Sequence, residues 1–284
     1  MTKATELAGR RATAVGDPRV VVPKSVEVAA VLSERVRHRD VQLRRAFVRR
    51  GKSTRPTPLM HMLRGGRGGV VRAKLYLSLL WMAVGEGHSV TYPARTWATL
   101  LGLADPDTRG SRRVTEALAW LAEESFVEIH GGSGAPLTVV VKSERGDGSR
   151  YSVPGASIKR LQEAGRPIGR EVYDKVPRSL WTNGWLPLLS GPELACFLVL
   201  LSARQAASDS ADSGSWFASS LLADRYDMSD DTRQRGMRGL RDLGIVSVKP
   251  IVVGRSSVDY QRSRKQYKLL LERLDASPPL ETLK

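Results

Sequence analysis

One short helical pattern occurs twice in this chain. Residues 107–121 read DTRGSRRVTEALAWL, and residues 231–243 read DTRQRGMRGLRDL. Each opens Asp-Thr-Arg and continues Arg-x-x-x-x-Leu-x-x-Leu, through Arg113, Leu118 and Leu121 and then through Arg235, Leu240 and Leu243. Apolar residues three to four apart mark a helix with one buried side. Val114, Leu118 and Leu121 therefore face a core, Arg112, Thr115 and Glu116 point away, and Arg113 sits at the border. In the second copy Leu240 and Leu243 face inward with Met237 nearby, leaving Arg233, Gln234, Arg238 and Arg241 outward. The repeat predicts two related units, and 284 residues are enough to give each its own core.

The flanking residues repeat as well. VRAKLYLSLLWMA (71–83) is an apolar helix, followed by a turn and a short strand near Val90–Tyr92. PARTWATLLG is a second helix, with Pro93 in its first turn and Gly102 just past its end. The third helix lies within Asp105–Glu124, and both Asp105 and Ser111 qualify as its cap. FVEIH and LTVVVKS then form a hairpin about the uncharged turn GGSGAP. Later, GPELACFLVLLSARQAA is an apolar helix, WF an extended step and ASSLLADRYDMS a second helix. Ser229 caps the third, Asp230 and Asp231 complement its dipole, and Gly244 ends it. IVSVKPIVV and KQYKLLL form a hairpin around the basic loop GRSSVDYQRSR.

Charge is the other strong constraint. The chain carries a net +16, with a pI near 10.4. Residues 1–71 hold 16 Lys and Arg against 5 Asp and Glu, so most of the excess lies in the first quarter. Such a concentration calls for a polyanion, either nucleic acid or an anionic surface. The stretch SVEVAAVLSERVRHRDVQLRRAFVRR reads as one amphipathic helix through Val28, Leu32, Val36, Leu43 and Phe47. Its other side carries Arg35, Arg39, Arg44, Arg45, Arg49 and Arg50. Two readings stay open: a solvated helix docked on the body, or a basic arm lying along phosphates. RPTPLMHMLRGGRGG reads as a hinge or loop, with Arg64 and Arg67 able to reach phosphates. Residues 143–187 read as a linker that packs in part through Tyr173, Trp181 and Trp185.

No apolar run approaches the ~20 residues of a membrane span. The N-terminus lacks the apolar core of a secretory signal. The one cysteine, Cys196, lies in an apolar run and reads as a buried small hydrophobe, which suits a reducing cytoplasm. Four histidines have no metal-ligand spacing, and no phosphate-cradling Gly-x-x-x-x-Gly-Lys-Ser/Thr segment is present. His61-x-x-Arg64 with Tyr92 faintly matches the end of a tyrosine-recombinase site, but too few residues precede it to supply that enzyme's first arginine. No catalytic constellation, metal, cofactor or small-molecule site is expected.

Helix, strand, helix, helix and hairpin, in that order and twice, resembles the winged-helix form of the helix-turn-helix. The resemblance rests on YPARTWATLLGLADPDTRGSRRVTEALAWLAEESFVEI and FASSLLADRYDMSDDTRQRGMRGLRDLGIVSV, and covers roughly residues 70–142 and 188–271. It implies an α+β, mainly helical chain: a basic N-terminal arm (1–55), a first winged helix (56–145), a linker (146–187), a second winged helix (188–274) and a tail (275–284). It also implies a partner, double-stranded DNA read at a specific site; a homodimer is compatible with it. The implied contacts are Thr108, Arg109, Ser111, Arg112, Arg113, Thr115 and Glu116 in the first unit. In the second they are Thr232, Arg233, Gln234, Arg235 and Arg238, with Arg255, Arg262, Arg264 and Lys265 in the hairpin. Two unequal winged helices resemble plasmid replication initiators; a transcriptional repressor, a partition protein and a protein-interaction module are the alternatives. A nucleoid-associated, cytoplasmic location follows from that reading.

Overall fold

The computed structural model describes residues 22–278 except 38, 52–55, 66, 133–135, 207–218 and 254–261; it leaves undescribed the side chains of 67, 205–206, 219–221, 251–253 and 262–264. The chain is α+β and mostly helical. The expected tail, apart from its first few residues, the WF step and the tip of the basic hairpin loop fall outside the described residues.

The expected single helix over residues 25–50 is two different structures. Helix α1 (Pro23–Arg35) stops at Val36, and Arg37 takes a left-handed backbone at φ 52°. It docks on the body by burying Ala29 and Leu32, and the Ser25 hydroxyl donates to the Leu100 carbonyl at 2.6 Å. The next residues form strand β1 (Val41–Arg44), paired antiparallel with β5 (Tyr173–Val176) in the register Val41↔Val176. Val41 and Leu43 alternate with Gln42 and Arg44, a two-residue period that a distant strand selects over the helical one.

The presumed hinge is also mostly helical. Helix α2 (Pro58–Leu63) is capped by Thr57, and α3 (Arg67–Met82) begins inside the Gly-rich stretch. Gly69 is needed there: a Cβ would lie 2.5 Å from the Leu63 carbonyl oxygen. Helix α3 is buried on nearly every side, as befits a central helix. Around it lie β2 (Ser89–Thr91), α4 (Ala94–Leu100), α5 (Ser111–Glu123), β3 (Val127–His130) and β4 (Thr138–Val141). The three strands form an antiparallel sheet in the order β2-β4-β3.

Helices α6 (Pro154–Glu163), α7 (Ser179–Thr182) and α8 (Trp185–Leu188) follow. The stretch read as a linker is thus part of the shared core. Trp181 stacks on Trp81 of α3 at 5.1 Å, and its indole donates to the Ser78 hydroxyl. Trp185 donates to the carbonyls of Leu274 and Ala276, beyond the last strand. Helices α9 (Gly191–Ala206), α10 (Ser219–Tyr226) and α11 (Asp230–Asp242) and the hairpin of β6 (Val246–Val253) and β7 (Arg262–Leu269) complete the fold. Ser190 precedes α9, and its backbone N–H donates to Glu193 three residues on, so the carboxylate satisfies a free donor at the helix start. Among the described residues no helix is long and apolar enough to cross a membrane.

Arg44, only 1% exposed, ties these parts together. Its guanidinium donates to Glu144 at 2.9 Å, to Glu171 at 2.7 Å and to the Ser152 carbonyl at 2.8 Å, while its backbone N–H donates to Glu144 at 3.0 Å. Burial pulls the guanidinium pKa down, but the two carboxylates outweigh it and hold it above its usual value. Removing one partner of a buried ion pair strands the other charge, which costs about 3–5 kcal/mol. Arg44→Ala is expected to lower unfolding free energy by that amount in urea titrations. A loss under about 1 kcal/mol, the range of exposed pairs, would show that the site relaxes to water.

Candidate nucleic-acid interface

Helix α5 is launched by an unusual turn. Asp105 takes a left-handed backbone at φ 47°, and Pro106–Gly110 form a wide π-type turn running directly into α5. Neither candidate cap is used. Asp105 makes no side-chain cap bond, and the Ser111 hydroxyl donates back to the Pro106 carbonyl. Gly110 lets the turn press against α4: a Cβ would meet the Ala104 carbonyl at 3.0 Å and Ala98 at 3.1 Å.

Helix α5 buries Val114, Ala117, Leu118 and Leu121. Arg109 and Arg112 are 80% and 82% exposed, with Thr108, Thr115 and Glu116 beside them in solvent, and Ser111 and Arg113 half-buried. This surface is electrically balanced. Arg112 pairs with Glu116 at 3.0 Å, and Arg109 pairs with Asp105. Such exposed pairs are worth ~0–1 kcal/mol and exchange readily for a stronger anion.

Helix α11 starts on the expected cap: the Thr232 backbone N–H donates to the Ser229 hydroxyl at 3.2 Å. Half-buried Thr232 also accepts from that hydroxyl, so it belongs to the cap. Arg233 corrects the outward expectation. It is 20% exposed and held by Asp230 at 3.2 Å, one turn back. Gln234 and Arg238 are exposed, and Arg235, 63% exposed, pairs with Asp231. Arg241, also exposed, touches Asp242. Four arginines face three aspartates on this helix, a slight positive excess where α5 is balanced.

Helix α11 sits unusually close to α9, a feature the apolar spacing alone did not reveal. Gly236 and Gly239 face α9; a Cβ on the first would lie 2.3 Å from the Pro192 carbonyl oxygen and 2.5 Å from the Cys196 sulfur. At Gly239 a Cβ would collide with Glu193. The readable signal was two glycines three apart in RGMRGL, where a helix normally avoids them. Cys196 is sealed by this contact. Burial pushes its thiol up to about 12, and the thiol donates weakly to the Arg233 carbonyl at 3.8 Å.

The hairpin after α11 has strands of eight residues, against four in the first unit's β3 and β4. Lys265 is exposed on β7, opposite Pro250. Arg262 and Arg264 lie on β7, their side chains outside the described set, and Arg255 lies outside the described residues. Lys249 on β6 is also exposed, but it pairs with Gln266 and so projects from the opposite face of the hairpin to Lys265.

The N-terminal arginines are corrected most. Arg44 is enclosed as above; Arg45 pairs with Asp174 at 2.9 Å; Arg49 donates to the Ser202 hydroxyl and carbonyl at 2.9 and 2.6 Å. Burial draws the Arg49 pKa down. Arg50 pairs with Asp227 at 2.5 Å, and its backbone N–H donates to the Arg225 carbonyl. Arg35 donates to the Tyr92 hydroxyl and Arg39 to the Leu80 carbonyl. These cations hold the body together and do not lie free along one face. Exposed Arg64 reaches Asp227 at 3.4 Å; the Arg67 side chain is outside the described set. Among the described residues no three His, Cys, Asp or Glu side chains could hold a metal.

Against known proteins, no family model matches the chain, and neither a curated protein nor a solved structure does.

Gly236→Ala tests the tight contact. In an open helix the change gains up to ~1 kcal/mol; here overpacking is expected to cost about 1–3 kcal/mol. Native Cys196 should react with a thiol reagent no faster than the chain opens, and the alanine variant faster. Equal rates in both would dissociate the glycine from the seal.

Proposed function

We propose that this chain is a tandem winged-helix protein that reads a specific site in duplex DNA. One observation carries the reading. Two helices at matching places in a repeated order, α5 and α11, both turn polar, arginine-bearing sides to solvent while burying their leucines. Each follows a helix and precedes a hairpin, the arrangement that lays a recognition helix in a major groove with the hairpin over the flanking backbone. Arg112 and Arg238 suit guanine, Gln234 suits adenine and Glu116 the cytosine amino group. Arg109 and Arg235 release carboxylates to reach phosphates. Lys265 contacts the backbone beside the second site.

Two unequal readers in one chain favour a replication initiator of a plasmid or other mobile element, working at the nucleoid. A repressor or partition protein uses the same interface. An initiator binds arrays of repeats and opens neighbouring AT-rich duplex; a repressor binds one or two operators and opens nothing. The balanced charge of α5 favours a second reading for the first unit alone, in which it docks a protein while α11 reads DNA.

Selection from a random duplex pool tests the proposal: a preferred sequence with two parts is expected, and recovery of none rejects base readout. On the selected duplex, Arg112→Ala and Arg238→Ala should each relax preference at particular base pairs by about 1–3 kcal/mol. Uniform weakening on all sequences assigns that arginine to phosphates. No effect from Arg112→Ala, with an effect from Arg238→Ala, selects the protein-docking role for the first unit.

A further inference from the structure

The stretch between the two units sorts its charges by sign. From residue 150 to 178 three acids occur: Glu163, Glu171 and Asp174. Glu171 is buried between Arg44 and Arg145, and Asp174 is buried against Arg45. Only Glu163 is exposed, whereas all seven cations of the stretch are. A surface that is merely solvated mixes both signs. Here the fold buries two of the three acids and leaves the bases outside, with Glu163 near Lys159 at 3.9 Å.

The exposed cations begin with Arg150 and continue through Lys159 and Arg160 on α6 to Arg166 and Arg170 on the loop leading to β5. Arg160 and Arg166 line one shallow cleft with Ser157 and Leu161, whose Glu171 is already neutralised by Arg44 and Arg145. Lys175 and Arg178 extend the surface along and beyond β5. Guanidinium groups predominate, and these pair bidentately with phosphate. The exposed apolar residues between 154 and 170 are Ala156, Ala164 and Pro167, too small to insert into a bilayer.

We propose that this α6–β5 surface is a third nucleic-acid contact, one that grips the sugar-phosphate backbone of duplex DNA without reading bases. This inference rests on the DNA-binding reading above and adds a site to it. It moves the expected polyanion-binding role from the N-terminal arginines, which the fold consumes, to a segment read as a linker.

The test compares the full chain with the Arg160→Gln/Arg166→Gln/Arg170→Gln variant by fluorescence anisotropy on labelled duplexes, selected and random, across about 50–200 mM salt. Each lost phosphate contact removes about 0.9 from the slope of log affinity against log salt. A slope flatter by about 2–3 on both duplexes, with base preference unchanged, supports the proposal. The corresponding triple lysine variant should regain most of the slope, and Glu163→Lys should steepen it, a gain that misfolding cannot mimic. Unchanged slopes in all variants overturn this surface and leave the DNA-binding reading standing. Loss of binding to phosphatidylserine vesicles with DNA binding intact overturns it in favour of a membrane. A wild-type chain that binds no duplex overturns both proposals.

Discussion

The guanidinium of Arg44, enclosed by Glu144 and Glu171, is the joint on which this structure turns. Its partners lie 100 and 127 residues away in the chain. A buried ion pair contributes little net stability over an apolar substitute. Its geometry, however, demands one arrangement: β1 must be a strand, in register with β5, with the turn after β4 alongside. The charged residues that follow then reach different elements. Arg45 meets β5, Arg49 meets α9, and Arg50 meets the turn between α10 and α11. A run that could have trailed along a polyanion becomes the strap joining the first unit to the second.

Much of the fold was legible because local and global signals agreed. The leucine spacing of α5 and α11, the Ser229 cap and the second, longer hairpin each follow from residues within one turn or one strand of each other. Failures came where a distant partner decided. Val36, Leu43 and Phe47 satisfy a helix as well as Val41 and Leu43 satisfy a strand, and only Tyr173–Val176 breaks the tie. Arginine is an outside residue by habit, and nothing near Arg44 in sequence announces Glu144. Arg233 failed on a smaller scale: its place on the helix points out, but Asp230 folds it back. The candidate site was legible as two helix faces. Its charge balance was not: Asp105 read as a cap, Asp231 as a dipole complement and Glu116 as a base contact, and each instead pairs with an arginine one turn away.

The net charge counts cations that the fold then divides between its interior and its surface. A linear count locates cations; it cannot say which are spent on the interior. Residues 44–50 spend theirs on Glu144, Glu171, Asp174 and Asp227. Because Glu171 and Asp174 are withdrawn, the segment around α6 is left with mostly bases outside. Charge burial at one place thus sets the electrostatic character of another.

The stacked indoles of Trp81 and Trp181, with Trp185 pinned to the chain after β7, leave little play between the two halves. Readers on a loose tether tolerate variable gaps; readers fixed to one frame behave as calipers. Equivalent faces of B-form DNA recur about every 34–36 Å. On the proposed DNA reading, a frame that cannot stretch by half that distance admits only certain phasings, so the number of base pairs between the two sites becomes part of the address.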